Sequence, residues 1–217
     1  MIDALIFDMD GVIVDSEFHW KSLEGFFLQS LIPTWSSVDQ ARIIGLSVHD
    51  LYRMLVDEYN VRETKERFLE LYQQMANDIY GNKAALIEGF PELLAGLREE
   101  GIPVALASSS PRSWINIVLS RFALADAFRA VVSSDELQGE GKPSPAIYLH
   151  TAHLLRVDPI RCVVIEDSMN GVLSAKSAGM FCIGFRNGFN QEQDLSQASM
   201  LIHSFTELDA KSIQRLI

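Results

Sequence analysis

The sequence is short of several things, and each shortage excludes something. It has two cysteines, Cys162 and Cys182, each inside an apolar run. That pattern suits buried, reduced thiols and leaves no disulfide framework to staple a small fold. Positive charge is scarce as well: 18 Lys and Arg face 29 Asp and Glu, for a formal net charge of -11. Nucleic acid and anionic membrane surfaces are bound through clustered Lys and Arg, so neither is an expected partner. No apolar run reaches the roughly 18–20 residues that cross a bilayer. The start, Met1-Ile2-Asp3-Ala4-Leu5-Ile6-Phe7-Asp8, carries acids where a secretory signal carries a basic segment and a longer apolar one. The expected location is therefore cytoplasmic. Internal repeats, low-complexity tracts and heptad stretches are also absent, and a monomer is expected.

What remains is 217 residues, 48% apolar and 22% charged, which is enough for one core carrying a smaller insert. Short apolar runs at Ala4–Phe7, Pro103–Ala107, Ala130–Ser133, Cys162–Ile165 and Phe181–Phe185 have the length and punctuation of buried parallel strands. Helical patterns lie between them at Pro91–Glu100, Pro111–Phe122, Ala146–Leu155 and Met169–Ala178. Gly101 and Gly179 follow two of these, as glycine does past helix ends. Alternating strand and helix predicts an α/β, Rossmann-like domain with a parallel sheet.

From Glu17 to Asn82 the alternation stops. Leu51, Leu55 and Tyr59 recur at helical spacing, as do Phe68, Leu71 and Met75, with no strand between. The expected organisation is a core of residues 1–15 and 83–217 with an all-helical insert of residues 16–82. Two chain crossings, near Val14–Ser16 and Gly81–Gly89, would join the two parts and make a hinge.

Ligands of open parallel sheets bind beyond the carboxyl ends of the strands. Those ends read Asp8-Met9-Asp10-Gly11, Ser108-Ser109-Ser110 and Glu166-Asp167-Ser168, and Lys142 lies in the loop Gly139-Glu140-Gly141-Lys142-Pro143. Carboxylates gathered at one edge repel, so a divalent cation is the natural account of their coexistence, and oxygen-only ligation suits Mg²⁺. Singly, each has a plainer reading as a turn residue, a helix cap or a solvated charge. Together they would have to coincide at one sheet edge.

In this order and spacing, Asp8-x-Asp10-Gly11-Val12-x-Val14-Asp15-Ser16, Ser108, Lys142 and Glu166-Asp167 resemble the four motifs of the haloacid dehalogenase superfamily. The helical insert after the first strand resembles the cap of the branch that includes β-phosphoglucomutase and sugar-phosphate phosphatases. The resemblance implies Asp8 as nucleophile and Asp10 as general acid and base, with Ser108, the Ser109 backbone N–H and Lys142 holding the phosphoryl group beside Gly11. It implies Mg²⁺ held by Asp8, Asp167 and the Asp10 backbone carbonyl. Glu166 is expected to orient Lys142 or the metal's waters.

Within the family the first motif separates activities. Members that break carbon–halogen or carbon–phosphorus bonds lack an acid at the position of Asp10, so phosphate-ester chemistry is expected here. The mutase carries a histidine five residues after the position of Asp15, where this chain has Trp20, with His19 one residue earlier. One residue is about 100° of helical rotation, so His19 does not replace it. The mutase's basic cap loop is matched here by Arg42-Ile43-Ile44-Gly45-Leu46-Ser47-Val48, apolar at Ile44 and Val48. The expected reaction is therefore hydrolysis of a small phosphorylated metabolite, in which Trp20 and Gly45 contact the substrate. His19 is a weaker candidate, and Arg42 reads as a solvated helix charge. Two alternatives remain: a phosphoglucomutase-like phosphotransferase, and a receiver-type switch that holds its phosphate on aspartate. The helical insert and Asp10 count against the switch.

Overall fold

All five expected apolar runs form strands in the computed structural model, which describes residues 1–44, 46–137 and 141–217. These are β1 (Ala4–Phe7), β2 (Val104–Ser108), β3 (Ala130–Ser133), β4 (Cys162–Glu166) and β5 (Phe181–Phe185). A sixth strand, β6 (Met200–Ile202), was not legible, because its apolar run is only three residues long, shorter than the runs that signal a buried strand. The described strands form one parallel sheet in the order β3-β2-β1-β4-β5-β6. β1 is buried along its whole length. Its residues alternate between two layers: Leu5 and Phe7 pack with Phe90 and Phe205, while Ala4 and Ile6 pack with Tyr148 and Val172. Burial on both faces explains why these strands read as continuous apolar runs rather than as alternating ones.

The core helices are α5 (Phe90–Glu99), α6 (Arg112–Arg121), α7 (Ala146–Leu155), α8 (Met169–Ser177) and the short α9 (Ala210–Gln214). The first four start and stop within one residue of the expected bounds, since Pro and Gly punctuate them. Between β1 and α5 the elements among the described residues are all helices: α1 (Ser16–Leu31), α2 (Ser37–Ile43), α3 (Val48–Tyr59), α4 (Lys65–Asp78) and a π-helical turn, Ile79–Lys83. Side chains cap α2, α3 and α4, with Ser36 and Asp39 forming a reciprocal box on α2, Ser47 accepting from the Asp50 N–H on α3 and Thr64 from the Arg67 N–H on α4.

The two crossings into this helical segment bind one another. Asp15 N–H donates to the Ala85 carbonyl at 3.0 Å, and Ile87 N–H to the Ile13 carbonyl at 3.0 Å. Ala85 N–H also donates to the Asp15 carboxylate at 2.6 Å. The segment leans back over the sheet edge, where Trp20 of α1 stacks on Trp114 of α6 with ring centroids 5.0 Å apart.

Candidate active site

β1 lies where the sheet order reverses, with β2 on one side and β4 on the other, so its carboxyl end opens into the crevice where such sheets bind ligands. Asp8 follows β1 directly, Glu166 is the last residue of β4, and Asp167 follows it. Oxygen atoms of the three carboxylates lie within 4.8 Å of one another. Lys142 reaches in from its loop, with only 2% of its side chain exposed, to contact Asp8 Oδ1 at 2.6 Å and Glu166 Oε1 at 2.5 Å.

Glu166 is fully engaged. Its Oε1 accepts from Lys142 and from the Tyr148 hydroxyl, and its Oε2 from the Asp167 and Ser168 N–H groups and the Ser168 hydroxyl. A Cβ at Gly171 would come within 1.9 Å of this carboxylate, so α8 can begin beneath Glu166 only with glycine there. Asp167 Oδ2 accepts from Asn187 at 2.9 Å. Gly11 has φ +71, and a Cβ there would stand 2.0 Å from Asp167 Oδ2, so glycine keeps this side of the carboxylate clear. Asp10 is held differently: its Oδ1 accepts from Ser16 at 2.5 Å and from Tyr80 at 2.6 Å, and its Oδ2 from Ser110 at 2.8 Å.

Electrostatics follow from this crowding. Burial pushes Asp8 up to about 7, against the pull of Lys142 and with a further push from Glu166 and Asp10. Burial, then the charges of Glu17 and Glu166, holds Asp167 well above the carboxylate range. Burial alone would lower Lys142, but the Asp8 and Glu166 charges outweigh it and lift it above its ordinary value. Buried hard-oxygen donors that resist ionising together, with glycine clearing the space beside one of them, fit a divalent cation. Asp8 and Asp167 suit ligation, while Glu166 has its oxygens committed elsewhere.

The cleft above this edge runs under the helical segment. Asp8, Asp10, Ser108, Ser109, Lys142 and Asp167 line its inner end, and Trp20, Ile43, Ile44 and Val48 line the far wall. Ser108 Oγ accepts from the Ser110 N–H at 3.0 Å, and the Ser109 carbonyl accepts from Ser134. Of the other expected residues, His19 rests against Phe18 and is not among those lining the cleft. Arg42 pairs with Glu58 at 2.9 Å in solvent. Gly45 and the loop residues Gly139 and Glu140 lie outside the described residues.

Several site residues were missed from sequence. Glu17 and Glu24 line the far wall with Gln40. The run Glu17, Trp20, Glu24 has helical spacing, and could have been recognised as one face of α1 turned to the cleft. Tyr80 and Asn187 carry no local signal, because each joins the site through tertiary contact. Burial pushes Glu17 up to about 8, helped by the charges of Asp10 and Glu24. It pushes Glu24 up to about 7, partly offset by hydrogen bonds from Tyr72 and Gln40.

Glu24 should therefore shape stability against pH. Its folded pKa lies above its ordinary 4.5, so the folded state holds the extra proton between 4.5 and about 7, and stability is lost as pH rises through that window. Glu24→Gln removes the titration. Its melting temperature relative to the parent should rise between pH 5 and pH 8. Partial solvent contact screens the gain to on the order of 1–2 kcal/mol. A difference that is flat with pH would refute the burial account.

Comparison with known proteins agrees with this geometry. Residues 5–185 match the haloacid dehalogenase-like hydrolase family, and the chain belongs to that family. It is thus an enzyme, a hydrolase of the phosphatase type. It is 34% identical to hexitol phosphatase B of Escherichia coli K12, over 97% of this chain and 96% of that protein. It is 32% identical to the β-phosphoglucomutase of Bacillus subtilis, over 94% of this chain and 91% of that one. The crystal structure of a β-phosphoglucomutase from Clostridium difficile superposes with a TM-score of 0.80 at 25% identity, covering 99% of this chain and 96% of that one. Among the described residues no helix is long and apolar enough to cross a membrane.

Proposed function

We propose that the chain is a magnesium-dependent phosphatase that hydrolyses small sugar or sugar-alcohol phosphates through a phospho-aspartyl intermediate on Asp8, with residues 16–82 serving as a cap. One observation carries the choice of hydrolysis over phosphoryl exchange: the cleft is electrically one-sided. Its inner end has a buried lysine against Asp8, whereas its far wall carries Glu17 and Glu24. Lys21, the other lysine lining the cleft, pairs with Glu192 at 3.1 Å. A mutase must hold a second phosphate at the far wall, and neither the acids Glu17 and Glu24 nor the paired Lys21 offers the free positive charge that a phosphate needs. Hydroxyl groups of a sugar or polyol instead find acceptors there, with Trp20 offering an apolar face.

In this reading Asp8 attacks phosphorus, so that the Asp8 O–P bond forms as the ester P–O bond breaks. Asp10 gives its proton to the departing alkoxide, then takes one from the water that cleaves the acyl phosphate. Ser108, the Ser109 N–H and Lys142 hold the phosphoryl oxygens, and Gly11 leaves room beside them. Glu166 keeps Lys142 aimed at Asp8, and Trp20 and Gly45 contact the leaving group. Asp8, Asp167 and the Asp10 carbonyl would hold Mg²⁺, which supplies charge neutralisation at the phosphoryl oxygens when bound. The enzyme works as a cytoplasmic monomer.

The test is phosphate release from hexose, hexitol and pentose phosphates, and from β-glucose 1-phosphate, with Mg²⁺ or with chelator. Release should require Mg²⁺. Saturating Mg²⁺ should also raise the melting temperature by about 5 °C or more, the shift expected at 100 times Kd for a chain of this size. Conversion of β-glucose 1-phosphate to glucose 6-phosphate without net release would establish the mutase instead. Unchanged rates in chelator would remove the metal from the mechanism.

A further inference from the structure

Asp10 is touched by a residue that no catalytic motif contains. Tyr80, fully buried in the π-helical turn, donates to Asp10 Oδ1 at 2.6 Å and accepts from Trp20 Nε1 at 2.9 Å. An indole N–H is a donor only, so the Tyr80 oxygen must be the acceptor, and its single proton is then left for Asp10. The phenol has little freedom to turn away. Arg121 holds the Tyr80 carbonyl at 2.8 Å, and the Trp20 and Trp114 rings flank its ring, each with centroid 6.0 Å distant. Ser16 donates to the same Oδ1. Oδ1 thus faces two donors, one of them locked, and cannot carry a proton without breaking a bond. Among the described residues Oδ2 has only the Ser110 hydroxyl as hydrogen-bond partner, which can rotate to donate to a carboxylate or to accept from a carboxylic acid.

We propose that Tyr80, with its hydroxyl direction set by Trp20, is a positioning residue that confines the proton shuttled by Asp10 to Oδ2. This rests on the assignment of Asp10 as general acid and base. In the first half-reaction the Oδ2–H proton passes to the leaving oxygen as its bond to phosphorus breaks and the bond from Asp8 forms, and Asp10 becomes a carboxylate. In the second, Oδ2 takes a proton from the attacking water as the acyl phosphate opens, which restores the acid. Throughout, Oδ1 keeps its two donors. Because Trp20 also lines the far wall, the residue that meets the substrate's leaving group is hydrogen-bonded, through one phenol, to the residue that protonates it.

The test compares phenyl phosphate with p-nitrophenyl phosphate. The two have nearly the same shape, but phenolate needs a proton to leave and p-nitrophenolate does not. The quantity measured is kcat/KM, which reports steps up to phosphoryl transfer to Asp8. Asp10→Asn should lower the phenyl ester by about 100-fold or more relative to the nitrophenyl ester. Tyr80→Phe should give a split of the same sign, about 10-fold. Trp20→Phe, which keeps a ring and loses the donor, should give about 5-fold, and it answers the question if Tyr80→Phe does not fold. If Asp10→Asn lowers both esters equally, the general-acid assignment itself fails. If Asp10→Asn shows the split and the Tyr80 and Trp20 variants lower both esters equally, or neither, Tyr80 is only a packing residue and the proposal is overturned.

Discussion

Asp8→Asn should abolish turnover, lowering phosphate release by on the order of 10⁴-fold or more while the protein stays folded. The carboxylate does two things that an amide cannot. In the proposed mechanism it supplies the attacking oxygen, and in the fold it supplies negative charge to the pair with Lys142, 2.6 Å away. An Asn side chain has nearly the same volume, and Lys142 keeps Glu166 as partner at 2.5 Å, so no buried charge is stranded. Stability should therefore move by less than about 2 kcal/mol. Acid-quenched parent enzyme given labelled substrate should retain phosphate on the protein, and the variant should retain none. Near-parental release by Asp8→Asn would end the phospho-aspartyl mechanism, whatever the substrate.

Lys142→Met should have the opposite profile and damage folding as much as catalysis. Methionine matches the lysine stem in length but removes the one cation between Asp8 and Glu166, and both of these carboxylates are buried. Removing one partner of a buried ionic cluster typically costs about 3–5 kcal/mol, because the charge left behind has neither water nor a counter-ion. Burial already holds Asp8 up to about 7 even with Lys142 in place. Without it, Asp8 should protonate more readily still, leaving less of the nucleophilic form at neutral pH. Urea unfolding without metal should show the loss of stability, and turnover should fall by about 100-fold or more. Parental stability together with turnover within tenfold of the parent would mean that Lys142 is a loop charge and not part of the centre.

Much of this protein was legible because its determinants are local. Ala4–Phe7 and Cys162–Ile165 are apolar on both faces, short and bounded by polar residues, so a buried parallel strand was the element they favoured. Asp8, Asp10, Asp167 and Lys142 were recognisable because strand ends and a glycine-rich loop bring chemistry to one edge whatever the rest of the chain does. The helical segment between β1 and α5 showed itself by spacing alone.

Other features waited for tertiary structure, each for a physical reason. β6 is three residues long and takes its place only by pairing with β5. Gly171 looks like any small residue in a helix until Glu166 is seen to fill the space where its Cβ would be. The acidity of the far wall depends on which face of α1 turns inward, and packing against α6 through Trp20 and Trp114 decides that. The Trp20–Tyr80–Asp10 chain spans 70 residues of sequence between its tyrosine and its acid. The sequence by itself determined five strands of the sheet, the helical insert and the cluster of candidate reacting groups, because periodicity and strand ends are local. Only the tertiary structure decided how Asp10 is held and what faces the leaving group, because hydrogen bonds between distant segments leave no pattern in either one alone.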